Sequence, residues 1–285
     1  MSAITATVPA AEELSPRVSP AEGIRQSLTL AWRTIVQVRH NPWELGDFSI
    51  QPIMFVLLFT YVFGGAISGS TGDYLIGALP GIIVMNMLFI TMYVGTGLNT
   101  DLTKGVFDRL RSLPIARWAP MAGRIVADQV KQGWSIFLLL AVGMALGFRF
   151  GTSVGSVLAA IALLLVFALA FSWVSVLVGL VAKDPEQVQL FGFTALFPIT
   201  FVSNVFVPVE TMPGWLQAFV NVNPVTHVAD ATRALMVGDK TLASPELMQW
   251  HVESAGTPVV SSLIWAAIIV AIFAPLSVWV FKRRV

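Results

Sequence analysis

The chain contains no cysteine. Disulfides, thiolate metal sites and a cysteine nucleophile are therefore excluded. Charge is scarce as well: Asp, Glu, Lys and Arg make up 12% of 285 residues, about half the share of an ordinary soluble domain. Histidine is limited to His40, His227 and His251, too few and too scattered for a histidine metal centre. No G-x-x-x-x-G-K-[ST] phosphate loop occurs; "GDKT" at 238–241 lacks the upstream glycine, so this chain does not bind ATP in that mode. A serine-centred elbow is also missing, which argues against catalysis by this chain. The opening "MSAITATVPAAEELSPRVSP" has neither the basic start nor the apolar core of a signal peptide and reads as a disordered tail over residues 1–19.

What is present is apolar. Hydrophobic residues make up 56% of the chain, and a helix needs about 20 of them to cross a bilayer. Six stretches qualify: Ile50–Ile67, Leu75–Leu98, Trp134–Phe150, Val154–Val181, Val188–Val207 and Val259–Phe281. In lipid the backbone must satisfy itself, so these are expected to be helices, kinked at Pro80, Pro198 and Pro275. The third is the weakest and is expected to extend back past Lys131. Of the seventeen Lys and Arg, all but Arg149, Arg233 and Lys240 fall on one side of this six-span arrangement. That places both termini and residues 101–117 in the cytoplasm of a multi-pass cell-membrane protein. All sixteen Asp and Glu lie outside the six stretches. An intramembrane acid for ion coupling is therefore not expected.

Two polar segments stand out. "DLTKGVFDRLRSLPIAR" at 101–117, read as a helix, gathers Leu102, Val106, Leu110 and Leu113 into one stripe. Lys104, Asp108 and Arg111 lie opposite, and Arg109 sits near the stripe's edge. Pro114 should end the helix at about residue 113. It can rest on lipid headgroups or dock on a cytoplasmic partner. Residues 20–44 form a second amphipathic element, opened by a Ser19-x-x-Glu22 capping box with Pro20 at the first helical position. Ile24, Leu28, Ala31, Trp32, Ile35 and Val38 share one face, with Gln26, Arg33 and Gln37 on the other. This helix is expected in the membrane interface, anchored by Trp32.

Residues 208–258, between the last two stretches, are too apolar for a plain loop. "PGWLQAFV" and "NPVTHVADATRALMVG" read as short outer helices, the second capped by Asn223 and stopped by Gly238. They suggest re-entrant or interfacial elements, with His227 in packing. Two uncharged aromatic faces are candidates for a cargo path: Phe193, Phe197, Thr200 and Asn204 on the fifth stretch, and Asn86, Ile90, Tyr93 and Gly97 on the second. Ordinary packing of the same faces is the alternative.

Taken together, the layout resembles the permease subunits of type-2 ABC exporters, and within them the daunorubicin/doxorubicin-resistance permeases of actinobacteria. Two stretches carry the resemblance. One holds Gly105, Asp108, Arg109, Leu110, Pro114 and Ile115; the other is "FVSNVFVPVETMPGWLQAFVNVNPVTHVADATRALM" at 201–236. The resemblance implies an all-α permease domain over 45–285, in which six spans are joined by a cytoplasmic coupling helix at about 101–113. Asp101, Gly105, Asp108, Arg109, Leu110 and Pro114 would couple to an ATPase, and the 20–44 helix would be the connecting helix. It also implies two copies of the chain, two copies of a separate ATPase that binds ATP and magnesium, contact with membrane lipid, and an amphipathic drug-like or lipid-like cargo. No cofactor in this chain and no nucleic-acid partner is expected. Export of polysaccharide or lipid, ion-coupled drug export and a non-transporting scaffold stay open.

Overall fold

The computed structural model describes residues 19–39, 42–106, 116, 118–238, 250 and 254–284. Among these the fold is all-α, with no strand. In chain order the helices are α1 (Pro20–Arg39), α2 (Pro42–Ser68), α3 (Thr71–Thr103), α4 (Ala119–Ala145), α5 (Val154–Val181), α6 (Pro185–Phe201), α7 (Gly214–Val222), α8 (Pro224–Met236) and α9 (Gly256–Arg284). Five contain stretches long and apolar enough to cross a membrane: Ser49–Ser68, Thr71–Thr103, Ala119–Ala145, Val154–Val181 and Gly256–Phe281.

α3 is the central post. Its apolar stretch is 83% buried, against 17% for α9, and it packs against α2, α4, α5, α6 and α8. Lipid offers helices no hydrophobic incentive to associate, so close packing and interhelical hydrogen bonds must hold them. The α3–α5 crossing uses both. A Cβ on Gly179 would lie 2.4 Å from the Gly95 carbonyl oxygen, so the two backbones touch. Ser175 Oγ accepts from the Gly95 N–H at 2.9 Å, and Asn99 Nδ2 donates to the Gly179 and Ala182 carbonyls at 3.0 and 2.8 Å.

The third expected stretch extends back past Lys131, as expected: α4 starts at Ala119, and it ends at Ala145 instead of Phe150. Gly147 ends it at φ +112°, and the Phe148 N–H returns 2.9 Å to the Gly143 carbonyl, a glycine-terminated helix stop. This extent corrects the expectation that no acid lies within a span. Asp128 falls inside α4 and is 3% exposed.

The fifth stretch is shorter than expected. α6 stops at Phe201 after 17 residues, not at Val207, and so spans about 25 Å where a bilayer core is about 30 Å thick. Its end is held by side chains. Asn223 Nδ2 donates to the carbonyls of Ile199 and Val202, and Arg233 Nη2 donates to those of Asn204 and Val205. The bonds from Asn223 satisfy carbonyls that the helix end would otherwise orphan, and those from Arg233 satisfy carbonyls of the turn that follows.

Candidate functional site

Polar side chains collect at the two ends of α3. Gly77, near its start, and Asp101, in its last turn, are about 36 Å apart at 1.5 Å per residue.

At the second end α3 runs on through Thr103. Asp101 and Leu102 therefore belong to its last turn and do not open a separate helix, which corrects the expected start of the 101–113 element. The chain turns at Gly105, with φ +64°. Asp108, Arg109, Leu110 and Pro114 lie outside the described residues. A carboxylate at a helix C-terminus is disfavoured by the helix dipole, and Asp101 is compensated by an ion pair with Arg124 Nη1 in the second turn of α4. Gly97 makes this possible: a Cβ there would sit 1.4 Å from Arg124 Nη2. The pair joins the two ends of segment 104–118. Leu102 packs against the apolar cluster that contains Leu98, Met121 and Ile125.

α1 lies against this base. Its start is capped as expected, Ser19 Oγ accepting from the Glu22 N–H at 3.2 Å. The face turned to the protein is not the apolar one. Gly23, Ser27 and Ala31 are buried against α4, while Ile24, Leu28 and Trp32 are 56%, 55% and 67% exposed and Ile35 is half-buried. A Cβ on Gly123 would meet the Ser27 carbonyl at 2.6 Å, and one on Gly23 would meet Trp118 at 2.5 Å. Gln26, expected on the solvated face, accepts from the Ala116 N–H at 2.9 Å. Small residues recurring every fourth position let the helices approach, which leaves the large side chains free to enter lipid.

The candidate cargo residues do not form one surface. Tyr93 and Phe193 line one cavity of about 70 Å³ together with Gln51, Phe89, Met92 and Gln189. That is well below the 300–1,000 Å³ typical of a small-molecule site. Asn86 is turned inward and donates to Ser135 Oγ at 2.7 Å. Phe197 is half exposed and stacks on Phe201 with ring centroids 4.4 Å apart. Thr200 is buried, its hydroxyl bonded to the Leu196 carbonyl at 2.7 Å.

Asn204 belongs to the other end of the bundle, in a cavity of about 440 Å³ bordered also by Glu210, Gln217, His227, Asp230, Arg233 and Trp250. α8 builds it. Asn223 caps this helix by accepting from the Val225 N–H at 2.9 Å, and Gly238 follows it at φ +86°. Asp230 and Arg233, one turn apart, face inward as an ion pair at 2.9 Å. Arg233 is 1% exposed; Nε donates to the Gly77 carbonyl at 2.7 Å, and its carbon Cζ lies 4.6 Å from the centre of the Trp250 ring. Asp230 Oδ1 also accepts from Asn204 Nδ2 at 2.6 Å. Burial pushes the His227 imidazole below its ordinary pKa, against the pull of Asp230, so it is neutral at pH 7. Burial pushes the Asp230 carboxyl up, and Arg233 beside it pulls it back. Asp230, Glu210 and Trp250 were not among the expected site residues; the i, i+3 spacing of Asp230 and Arg233 within an apolar helix was the available signal.

Comparison with known proteins bears on both ends. Residues 25–237 match the ABC-2 type transporter family. The chain is 38% identical over 268 residues to the daunorubicin resistance ABC transporter permease protein DrrB1 of Streptomyces coeruleorubidus, covering 94% of this chain and 90% of that protein. It is 26% identical over 235 residues to the doxorubicin resistance ABC transporter permease protein DrrB of Mycobacterium tuberculosis, covering 81% and 78%. The matched region takes in α8 and nearly all of α1, together with the Asp101–Arg124 base between them, and with five apolar helices in one chain it establishes that this multi-pass membrane protein belongs to the ABC-2 type transporter family of permeases.

Proposed function

We propose that the chain is the membrane subunit of an ATP-driven exporter that moves an amphipathic, drug-like or lipid-like molecule out of the cytoplasm or inner leaflet of a bacterial cell. The observation that carries this reading is its end-to-end similarity to a permease named for daunorubicin resistance. Two copies would form the conduit, and each would dock a separate ATPase that binds ATP and magnesium. The segment after α3, up to about residue 113, would be the docking element, with Arg109 at its contact edge and α1 beside it in the interface. In this reading α6 and the turn after it complete a sixth crossing, both termini are cytoplasmic, and α7 and α8 cap the outer face. The cargo would leave along surfaces that include Tyr93, Phe193 and Phe197.

The test is co-expression with the ABC ATPase encoded beside it and assay of everted vesicles. ATP-dependent accumulation of doxorubicin that survives a protonophore is expected. Arg109→Glu should leave the permease in the membrane and reduce ATPase co-purification several-fold; unchanged co-purification would return that segment to a lipid-facing role. A second reading, ion-coupled export, is favoured by one observation, the buried Asp128 within α4. Accumulation that a protonophore abolishes and ATP withdrawal does not would select it. ATP hydrolysis stimulated by lipid-linked sugars but not by doxorubicin would instead select polysaccharide or lipid export.

A further inference from the structure

The 440 Å³ cavity holds more acceptors than its own donors use. Arg233, the only cationic side chain among the described residues that border it, is committed: its N–H groups go to Gly77 O, Asp230 Oδ1, Asn204 O and Val205 O. Its charge is balanced by Asp230 at 2.9 Å. Among the described residues Glu210 forms no ion pair; it stands at the exposed side of the cavity, where its charge acts on Arg233 without a direct contact. His227 adds no positive charge, since it is neutral at pH 7.

The second observation is independent of charge. Among the described residues Asn204 Oδ1 and Trp250 Nε1 have no hydrogen-bond partner, and the two side chains are 5% and 3% exposed. Both residues border the cavity. A buried polar group without a partner costs about 1–3 kcal/mol, so two in the wall of one cavity indicate a wall shaped for an occupant. The buried acceptor and the one carboxylate charge in excess of Arg233 call for a donor with positive charge. The indole N–H calls for an oxygen on the same molecule. The volume falls within the usual range for a small-molecule site.

We propose that this cavity is a binding site for an organic ammonium carrying a neighbouring oxygen. The nitrogen would sit between Glu210 and Asp230 and donate to Asn204 Oδ1, and the oxygen would accept from Trp250 Nε1. An amino-alcohol portion of a soluble amphiphile and the headgroup of an ethanolamine lipid present the same chemistry. The site is complete within one chain and needs no ATPase; only its outward orientation rests on the proposed topology.

The experiment uses the full chain in nanodiscs of phosphatidylcholine and phosphatidylglycerol, which carry no primary amine. Titration calorimetry compares 2-amino-1-phenylethanol with 1-phenyl-1,2-ethanediol, which differ only in replacing the ammonium by a hydroxyl. The amine should bind at least about tenfold more tightly. Glu210→Gln, a change at an exposed position, should remove most of that preference and leave the diol unaffected. Asn204→Leu should weaken the amine as well, with insertion checked by unchanged helical circular dichroism. Addition of phosphatidylethanolamine to the nanodiscs identifies the source: competition assigns the site to the lipid headgroup, and undiminished amine binding assigns it to a soluble ligand. Equal affinity for amine and diol, or a preference that survives Glu210→Gln, would overturn the proposal. Failure of ATP-driven export in vesicles would leave this result standing, so the two readings fail separately.

Discussion

Arg233 is the largest fully buried side chain among the described residues. A guanidinium stays charged, so burying it to 1% exposure is tolerable only because Asp230 and three carbonyl oxygens receive its donors. Removing one partner of such a pair leaves the other as an uncompensated buried charge and costs about 3–5 kcal/mol. Arg233→Met should therefore lower the thermal midpoint of the detergent-solubilised protein sharply, and adding Asp230→Leu should restore part of the loss. A double variant as unstable as the sum of the singles would show that the two residues act separately. The Asp101–Arg124 pair is different, because Arg124 reaches it only across the bare backbone of Gly97. Gly97→Ala should displace the flexible guanidinium without unfolding α3 and lower ATP-dependent export several-fold, as should Arg124→Gln. The double variant should be no worse than either single, because both break the same contact.

At the scale of the helix, apolarity read from sequence located the long elements but not all of their protein contacts. Val154–Val181 coincides with α5 because an uninterrupted apolar run leaves its ends little freedom. α4 does reach back past Lys131, but its full extent to Ala119 was hidden because Arg124, Asp128, Lys131 and Gln132 make a polar stripe that looks like a loop in a hydropathy reading. In the structure Arg124 meets Asp101 and Gln132 donates to the Met87 carbonyl at 2.9 Å, so this polar stripe is the seam with α3. Hydropathy does not by itself locate a protein contact: in α1 the apolar face with Ile24, Leu28 and Trp32 is exposed, as the expected interfacial helix requires, and the contact with α4 lies on a face of small residues. Gly23, Ser27 and Ala31 contribute little hydrophobicity, yet they form the contact with α4. Of the candidate site, Asn204 and Arg233 were visible as an odd amide in a span and an arginine in an apolar helix. Their convergence was not, because it joins residues 29 positions apart through the turn that ends α6. The α1 contact can be tested directly. Gly123→Leu should push α1 off α4, since even a Cβ there would sit 2.6 Å from the Ser27 carbonyl. Hydrogen exchange should show α1 amides losing protection by tenfold or more while those of α3 keep theirs; equal protection in both would mean that lipid alone holds α1.

For the whole molecule the open question is whether the chain crosses the membrane five times or six, and it turns on α6. At 17 residues the helix is about 5 Å too short for a bilayer core of about 30 Å. The irregular turn at 202–207 would supply the missing length if its carbonyls are satisfied by protein and not left to lipid. Asn223 and Arg233 satisfy those of Val202, Asn204 and Val205, and Tyr74 that of Phe206. The remaining surface of α6 is suited to an apolar environment: Leu190, Phe191, Phe193, Phe197 and Phe201 are all between 44% and 65% exposed. A sixth crossing would put Lys183, just before α6, and Gly214, at the start of α7, on opposite sides. A five-span chain with α6 lying in one interface would put them on the same side. The absence of cysteine makes the distinction clean, because each introduced thiol is the only one present. In intact cells an impermeant maleimide should label Gly72→Cys and Gly214→Cys and should label Lys183→Cys only after the membrane is opened. Labelling of both Lys183→Cys and Gly214→Cys from outside, or of neither, would remove the sixth crossing. The polar cavity would then be placed on the same side as the start of α6, and the proposed outward-facing ammonium site would have to be reassigned with it.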